Sequence, residues 1–190
     1  MDPTSDNRLM EEVRAGQVER LAILFERHHV MLFNFFLRLT GNRSTSEDLV
    51  QDVFFRILKY RATYQGEGQF TVWMYQIARH AHVDHLRKHK PEVPLDEQFE
   101  EPAAEEDTAL ERLSAEVDAA LLKRALDRLP VRKKEVLVLS RFQQMKYREI
   151  ADLLGCDIGT VKSLVHRAVK ELGRIYLELQ RGTSPCDAKN

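Results

Sequence analysis

Residues 147–172 read YREIADLLGCDIGTVKSLVHRAVKEL, and this stretch decides the fold. Ile150, Ala151 and Leu154 stand at i, i+1 and i+4, one buried stripe of a short helix. Gly155 follows, the residue type that ends a helix with φ > 0. Asp157 is placed to cap a second helix. In that helix Ile158, Val161, Val165, Ala168 and Leu172 recur at spacings of three and four, a core stripe. Thr160, Ser163, Leu164 and Arg167 fall on the opposite face, with Lys162 and Lys170 beside it. Hydroxyls and arginine suit base edges, lysines suit phosphates, and an apolar group suits a thymine methyl. The pattern predicts a helix-turn-helix whose second helix reads a major groove. An ordinary helical hairpin with a solvated outer face is the bland alternative. Turn chemistry, stripe and basic face agree against it.

The rest of the chain also reads as helices. Only 8 glycines occur in 190 residues, and no strand-like alternation is present. Helices are expected over 8–15, 18–39, from Ser44 or Ser46 to about Tyr60, and over 70–88. Val72, Trp73, Ile77, Ala81 and Leu86 are the expected core of the last of these. The fold class is all-α, with two small helical domains joined by a flexible acidic linker. The expected boundaries are 1–90, 91–116 for the linker, 117–180 and a tail over 181–190.

Charge supports that division. The net charge is −1, but it is unevenly spread. Residues 91–116 carry ten acids against Arg112 alone, a net of −9, and three prolines. Few aliphatics stand there to bury, so a self-repelling tether is expected. Residues 1–90 hold 13 basic and 11 acidic residues, a net of +2, and residues 117–190 hold 15 and 9, a net of +6. Basic flanks of this kind suit a nucleic-acid partner. The acids are expected to fold back on the basic reading face of the second module.

Two cysteines, Cys156 and Cys186, make neither a disulfide framework nor a zinc motif. The polar start MDPTSDNRLMEEVR carries no signal-peptide core. The apolar run Met31–Leu37 is far short of the roughly 20 residues a membrane span takes. A cytoplasmic setting is expected, without membrane insertion. His85 and His89 have metal-like spacing but no completing ligand, so no metal is expected. No nucleophile–base pair or phosphate-cradling loop is visible, so neither catalysis nor a cofactor or small-molecule substrate is expected.

Two further stretches extend the reading. LDRLPVRKKEVLVLSRF, followed by the helix-turn-helix, resembles the region-4 domain of bacterial RNA polymerase sigma factors. SEDLVQDVFFRILK, then FTVWMYQIARHAHVDHLRK, resembles their region 2. Region 2 joined by a short linker to region 4 is the layout of the extracytoplasmic-function (ECF) group of the sigma-70 family. The resemblance covers residues 8–178. It implies core RNA polymerase (the β′ clamp helices and the β subunit) and promoter DNA as partners, with an anti-sigma factor as a further partner class.

The resemblance also implies sites. Asp48, Gln51, Asp52 and Phe54 match the positions that bind the clamp helices. Phe70, Trp73, Arg79, Arg87 and Lys88 fall where the family opens and holds the −10 element, with Tyr75 a further aromatic there. Thr160, Lys162, Ser163, Leu164, Arg167 and Lys170 fall where it reads −35. An Asp84–Arg87 pair at i, i+3 is expected to order the end of the −10 helix. Core packing is the competing reading for Trp73 and for one of Phe54 and Phe55. Two positions depart from the family: Lys146 replaces a hydroxyl cap before Tyr147, and Leu164 replaces an arginine often found on the reading face. The alternative function is a helix-turn-helix regulator that acts without core polymerase.

Overall fold

The computed structural model describes residues 4–66, 68–88 and 109–182. All elements among these residues are helical. They run α1 Asp6–Arg14, α2 Leu21–Thr40, α3 Arg43–Tyr60, α4 Phe70–Lys88, α5 Ala109–Asp127, α6 Val131–Leu137, α7 Tyr147–Leu154 and α8 Ile158–Gly182. Short 3₁₀ turns at Val18–Arg20 and Arg61–Thr63 lead into α2 and out of α3, and a π turn over Val138–Phe142 extends α6.

Local chemistry sets the helix ends. Gly41 takes φ 70° and closes α2 in the left-handed region, where a side chain would be strained. Asn42, rather than Ser44 or Ser46, then caps α3: its side-chain oxygen accepts from the Thr45 amide at 2.8 Å. Ser46 is buried and donates to the Asn42 carbonyl at 2.6 Å. Asp6 ties α1 to α2 by accepting from Arg27 at 2.6 Å and pairing with His28 at 2.7 Å.

The first module, α1 to α4, packs around Leu9, Met10, Leu24, Leu32, Phe35, Phe36, Val53, Ile57, Met74 and Ala78, all buried. Leu86, expected in this core, is exposed in the last turn of α4. In the second module Leu121, Ala125, Leu126, Leu129, Leu137, Ala168, Ile175 and Leu179 form one apolar cluster. Ile158, expected in the α8 stripe, is 42% exposed at the first position of the helix.

Two features depart from the sequence reading. Helix α5 begins at Ala109, inside the stretch read as linker, and residues 91–108 lie outside the described residues. The two modules also share a core. Val136, Val138, Leu139, Met145, Ile150, Ala151, Leu153, Val161 and Val165 belong to the same apolar cluster as the first module. Polar groups seal the junction. Tyr75 donates its hydroxyl to Gln143 at 2.8 Å, and Arg79 pairs with Glu135 at 2.9 Å. Lys134 is buried between the Leu39 carbonyl (3.1 Å) and the Asp127 carboxylate (2.7 Å). A cation near the last carbonyls of α2 also meets the negative end of its dipole. The Arg38 guanidinium lies 4.3 Å from the centre of the Phe142 ring.

Candidate nucleic-acid interface

Three surfaces carry the candidate residues. The first is α3. Asp48 and Gln51 are exposed, and Asp52 is half-buried beside Arg56 at 2.9 Å. Phe54 does not join them. It is 7% exposed and packs edge-on against Phe25 at 4.9 Å, so it is a core residue. The exposed aromatic is its neighbour Phe55, at 65%. Helical spacing explains the exchange. Positions 48, 51, 52 and 55 fall at i, i+3, i+4 and i+7, one continuous stripe, while position 54 lies about 100° away from 55. That spacing was available in the sequence and would have selected Phe55.

The second surface is α4 and the loop before it. Asn7, which the sequence reading did not single out, fixes the entry. Its amide donates to the Gly68 carbonyl at 2.7 Å, and its oxygen accepts from the Phe70 amide at 2.8 Å. Phe70 is 1% exposed, wedged between His28, Tyr64 and Trp73, and offers no face to a base. Its placement at a DNA surface is therefore corrected to the core. Tyr75 is likewise buried, and burial pushes its phenol above the ordinary tyrosine range. Trp73 is half-buried, in a T-shaped pair with Tyr64 at 5.1 Å, and is the member of Phe70, Trp73 and Tyr75 that is not fully buried. Arg79 faces the second module and is held by Glu135. Arg87 and Lys88 are exposed. Asp84 does not pair with Arg87 as expected. Its partner is Arg56 of α3, at 2.8 Å.

The third surface is α7 and α8. Gly155 takes φ 61° and lets the chain turn between them. Asp157 caps α8 as expected, accepting from the Thr160 amide at 2.8 Å and from the Thr160 hydroxyl at 2.6 Å. These bonds hold its carboxyl below the usual carboxylate range. The Thr160 hydroxyl therefore gives its proton to the cap rather than to a base. Lys162, Ser163, Arg167 and Lys170 are exposed on one face, with His166 among them. Leu164 is half-buried and packs on the core cluster, so only part of it faces outward. Lys146 supplies no acceptor at the start of α7, since an ammonium only donates. The reciprocal half of a capping box is nevertheless present: Glu149 accepts from the Lys146 backbone amide at 2.8 Å.

Two family models match the chain: Sigma-70 region 2 over residues 24–92 and Sigma-70, region 4 over residues 119–172. RNA polymerase sigma factor YlaC of Bacillus subtilis is 30% identical over 156 residues, covering 78% of this chain and 87% of its own. ECF RNA polymerase sigma factor SigM of Mycobacterium tuberculosis is 30% identical over 184 residues, covering 95% and 89%. Among solved structures, CnrH in complex with the cytosolic domain of CnrY superposes with a TM-score of 0.70 at 20% identity, over 95% of this chain and 100% of that one. At that identity the likeness speaks for the fold.

Proposed function

Because the chain belongs to the sigma-70 family, among its ECF RNA polymerase sigma factors, we propose a division of labour between its two modules. The protein is a sigma factor: it binds core RNA polymerase and directs initiation at specific promoters. In the reading proposed here, Asp48, Gln51, Asp52 and Phe55 dock on the polymerase. Acids and an amide meet cationic and polar groups of a partner helix, and the exposed ring anchors the contact. Arg87 and Lys88, with the half-buried Trp73, hold the opened −10 strand, where a cationic rim and an aromatic ring receive unstacked bases. Ser163 and Arg167 reach base edges at −35, and Lys162 and Lys170 hold phosphates.

The observation that carries this reading is the pairing of two opposed surfaces. One is an acidic, amide and aromatic stripe on α3; the other is a basic and hydroxyl face on α8. We assign no catalytic step to the chain and place its action in the cytoplasm with the polymerase. Run-off transcription with core polymerase on a genomic promoter library tests it. The chain is expected to do nothing alone and to confer initiation at a defined set of promoters. Tight binding to a palindromic operator without polymerase would instead support a free-standing regulator.

A further inference from the structure

Arg56 lies between two of the surfaces described above, and neither uses it. Its Nε donates to the Asp52 carboxylate at 2.9 Å, within α3. Its terminal nitrogen donates to the Asp84 carboxylate at 2.8 Å, across to α4. Arg56 is the least exposed of the three, its side chain 21% exposed against 38% and 41%. Asp84 stands in the penultimate turn of α4, just before the basic last turn of His85, Arg87 and Lys88. It also stands one turn before Arg87, close enough to compete for that guanidinium. The bond from Arg56 is the largest cause holding the Asp84 carboxyl below its ordinary range, with Arg87 and His80 contributing less. Arg87 itself makes no ion pair among the described residues. Arg56 thus satisfies Asp84 and leaves Arg87 exposed.

We propose that Arg56 is a positioning residue shared by the two surfaces: it neutralises Asp84 so that Arg87 stays available to a DNA phosphate, while it orients Asp52 on the polymerase-facing stripe. The inference rests on the placement of Asp52 and Arg87 given under the proposed function. One guanidinium serving two carboxylates leaves the site with one net negative charge. A cation of the docking partner that takes up Asp52 would complete the balance and leave Arg56 wholly to Asp84. Docking on the polymerase would then free Arg87 further for DNA, a coupling between two sites through one side chain. Removing Arg56 has the opposite effect: Asp84 turns to Arg87, and the −10 end of α4 loses a phosphate contact.

The test uses holoenzyme reconstituted with core polymerase and a promoter fragment recovered by the run-off selection. Arg56→Ala is expected to weaken binding to the fragment on the order of tenfold. It is also expected to make the dependence on log salt shallower by about one, the signature of one lost phosphate contact. Asp84→Asn in the Arg56→Ala background is expected to restore both quantities, and Asp84→Asn alone to leave them at or above the wild-type value. A merely structural role for Arg56 would not alter the salt slope selectively and would not be relieved by Asp84→Asn. Should Arg56→Ala fail to fold, Arg56→Lys keeps a cation but lacks the fork that spans two carboxylates, and an intermediate slope is expected. An unchanged slope in Arg56→Ala or Arg56→Lys, or no recovery in the double variant, overturns the proposal. Arg87→Ala is the control for the reading beneath it. If that variant binds the fragment as well as wild type, the −10 placement itself is wrong and the inference falls with it. If Arg87→Ala weakens binding and Arg56→Ala does not, only the inference fails.

Discussion

Adjacent phenylalanines on α3 have opposite environments. Phe54 fills the space beside Phe25, and Phe54→Ala is expected to cost about 3–5 kcal/mol of stability, the range for a buried aromatic truncated in a packed core. Phe55→Ala, at a site 65% exposed, should change stability by less than about 0.5 kcal/mol and weaken core polymerase binding on the order of tenfold or more. Denaturant melts and a polymerase pull-down on the two variants check both. His82 gives a second prediction, in pH. It is 4% exposed, and burial, with His85 and Lys134 nearby, lowers its pKa from 6.5 to about 4. Above pH 6.5 it is neutral in both states and costs nothing. Between that value and about 4 the unfolded chain binds a proton that the native one refuses, so stability falls as pH falls. The loss is on the order of 3 kcal/mol across the window. Glu135 works in the opposite sense, since burial raises its carboxyl. The comparison is therefore between wild type and His82→Leu, and the variant should show the flatter decline in urea midpoint from pH 7 to pH 5.

Among the elements, α7 has the incomplete cap. Its Glu149 holds the Lys146 amide, but no side chain accepts from the first-turn amides in return. Lys146→Ser supplies the missing acceptor and completes the box, so a gain of about 1 kcal/mol is expected in a thermal melt. Helix α8, by contrast, starts from an Asp157 already engaged twice by Thr160. Its native carboxyl is depressed, so the stabilisation it gives is present above the ordinary carboxylate range and is lost as pH falls through the lowered value. The cap explains why Thr160 is poorly suited to reading bases despite its place in the motif. A hydroxyl three residues after an N-terminal aspartate is drawn into the helix start before any ligand arrives.

Among the described residues the two modules are packed against each other. Elements at −35 and −10 are separated by about 25 base pairs, or about 85 Å of B-DNA. A compact body of this size has a radius of gyration of only about 15 Å. If α8 reads −35 and α4 holds −10 as proposed, the closed arrangement does not place them on both elements at once, and the modules are expected to part on the polymerase. The 20 residues between Lys88 and Ala109 reach at most about 70 Å, and the width of the two modules has to supply the rest of that separation. The junction is held by a shared apolar cluster and by buried polar pairs. Glu135→Lys would set two cations together where Arg79 and Glu135 now pair. Breaking a buried pair costs about 3–5 kcal/mol, and the lower end applies because the Arg79 side chain is 33% exposed. The free variant is expected to show a larger radius in X-ray scattering with its helical content unchanged. An unaltered radius would show that the apolar cluster alone keeps the modules together.

The sequence by itself determined the helices, the turn at Gly155, the Asp157 cap and the family, because each depends on residues within a few positions of one another. Periods of three and four, a glycine at a left-handed position and a carboxylate before a first turn are local facts. Only the tertiary structure decided which candidates remained on the surface. Phe70 and Tyr75 are apolar enough for core or interface, and their fate rests on His28 and Gln143, partners far away in the chain. Lys134 and Glu135 are charged yet buried, since Leu39 and Arg79, 95 and 56 residues distant, satisfy them. Burial of a charge is settled by whether a partner arrives, and a linear pattern does not contain that partner.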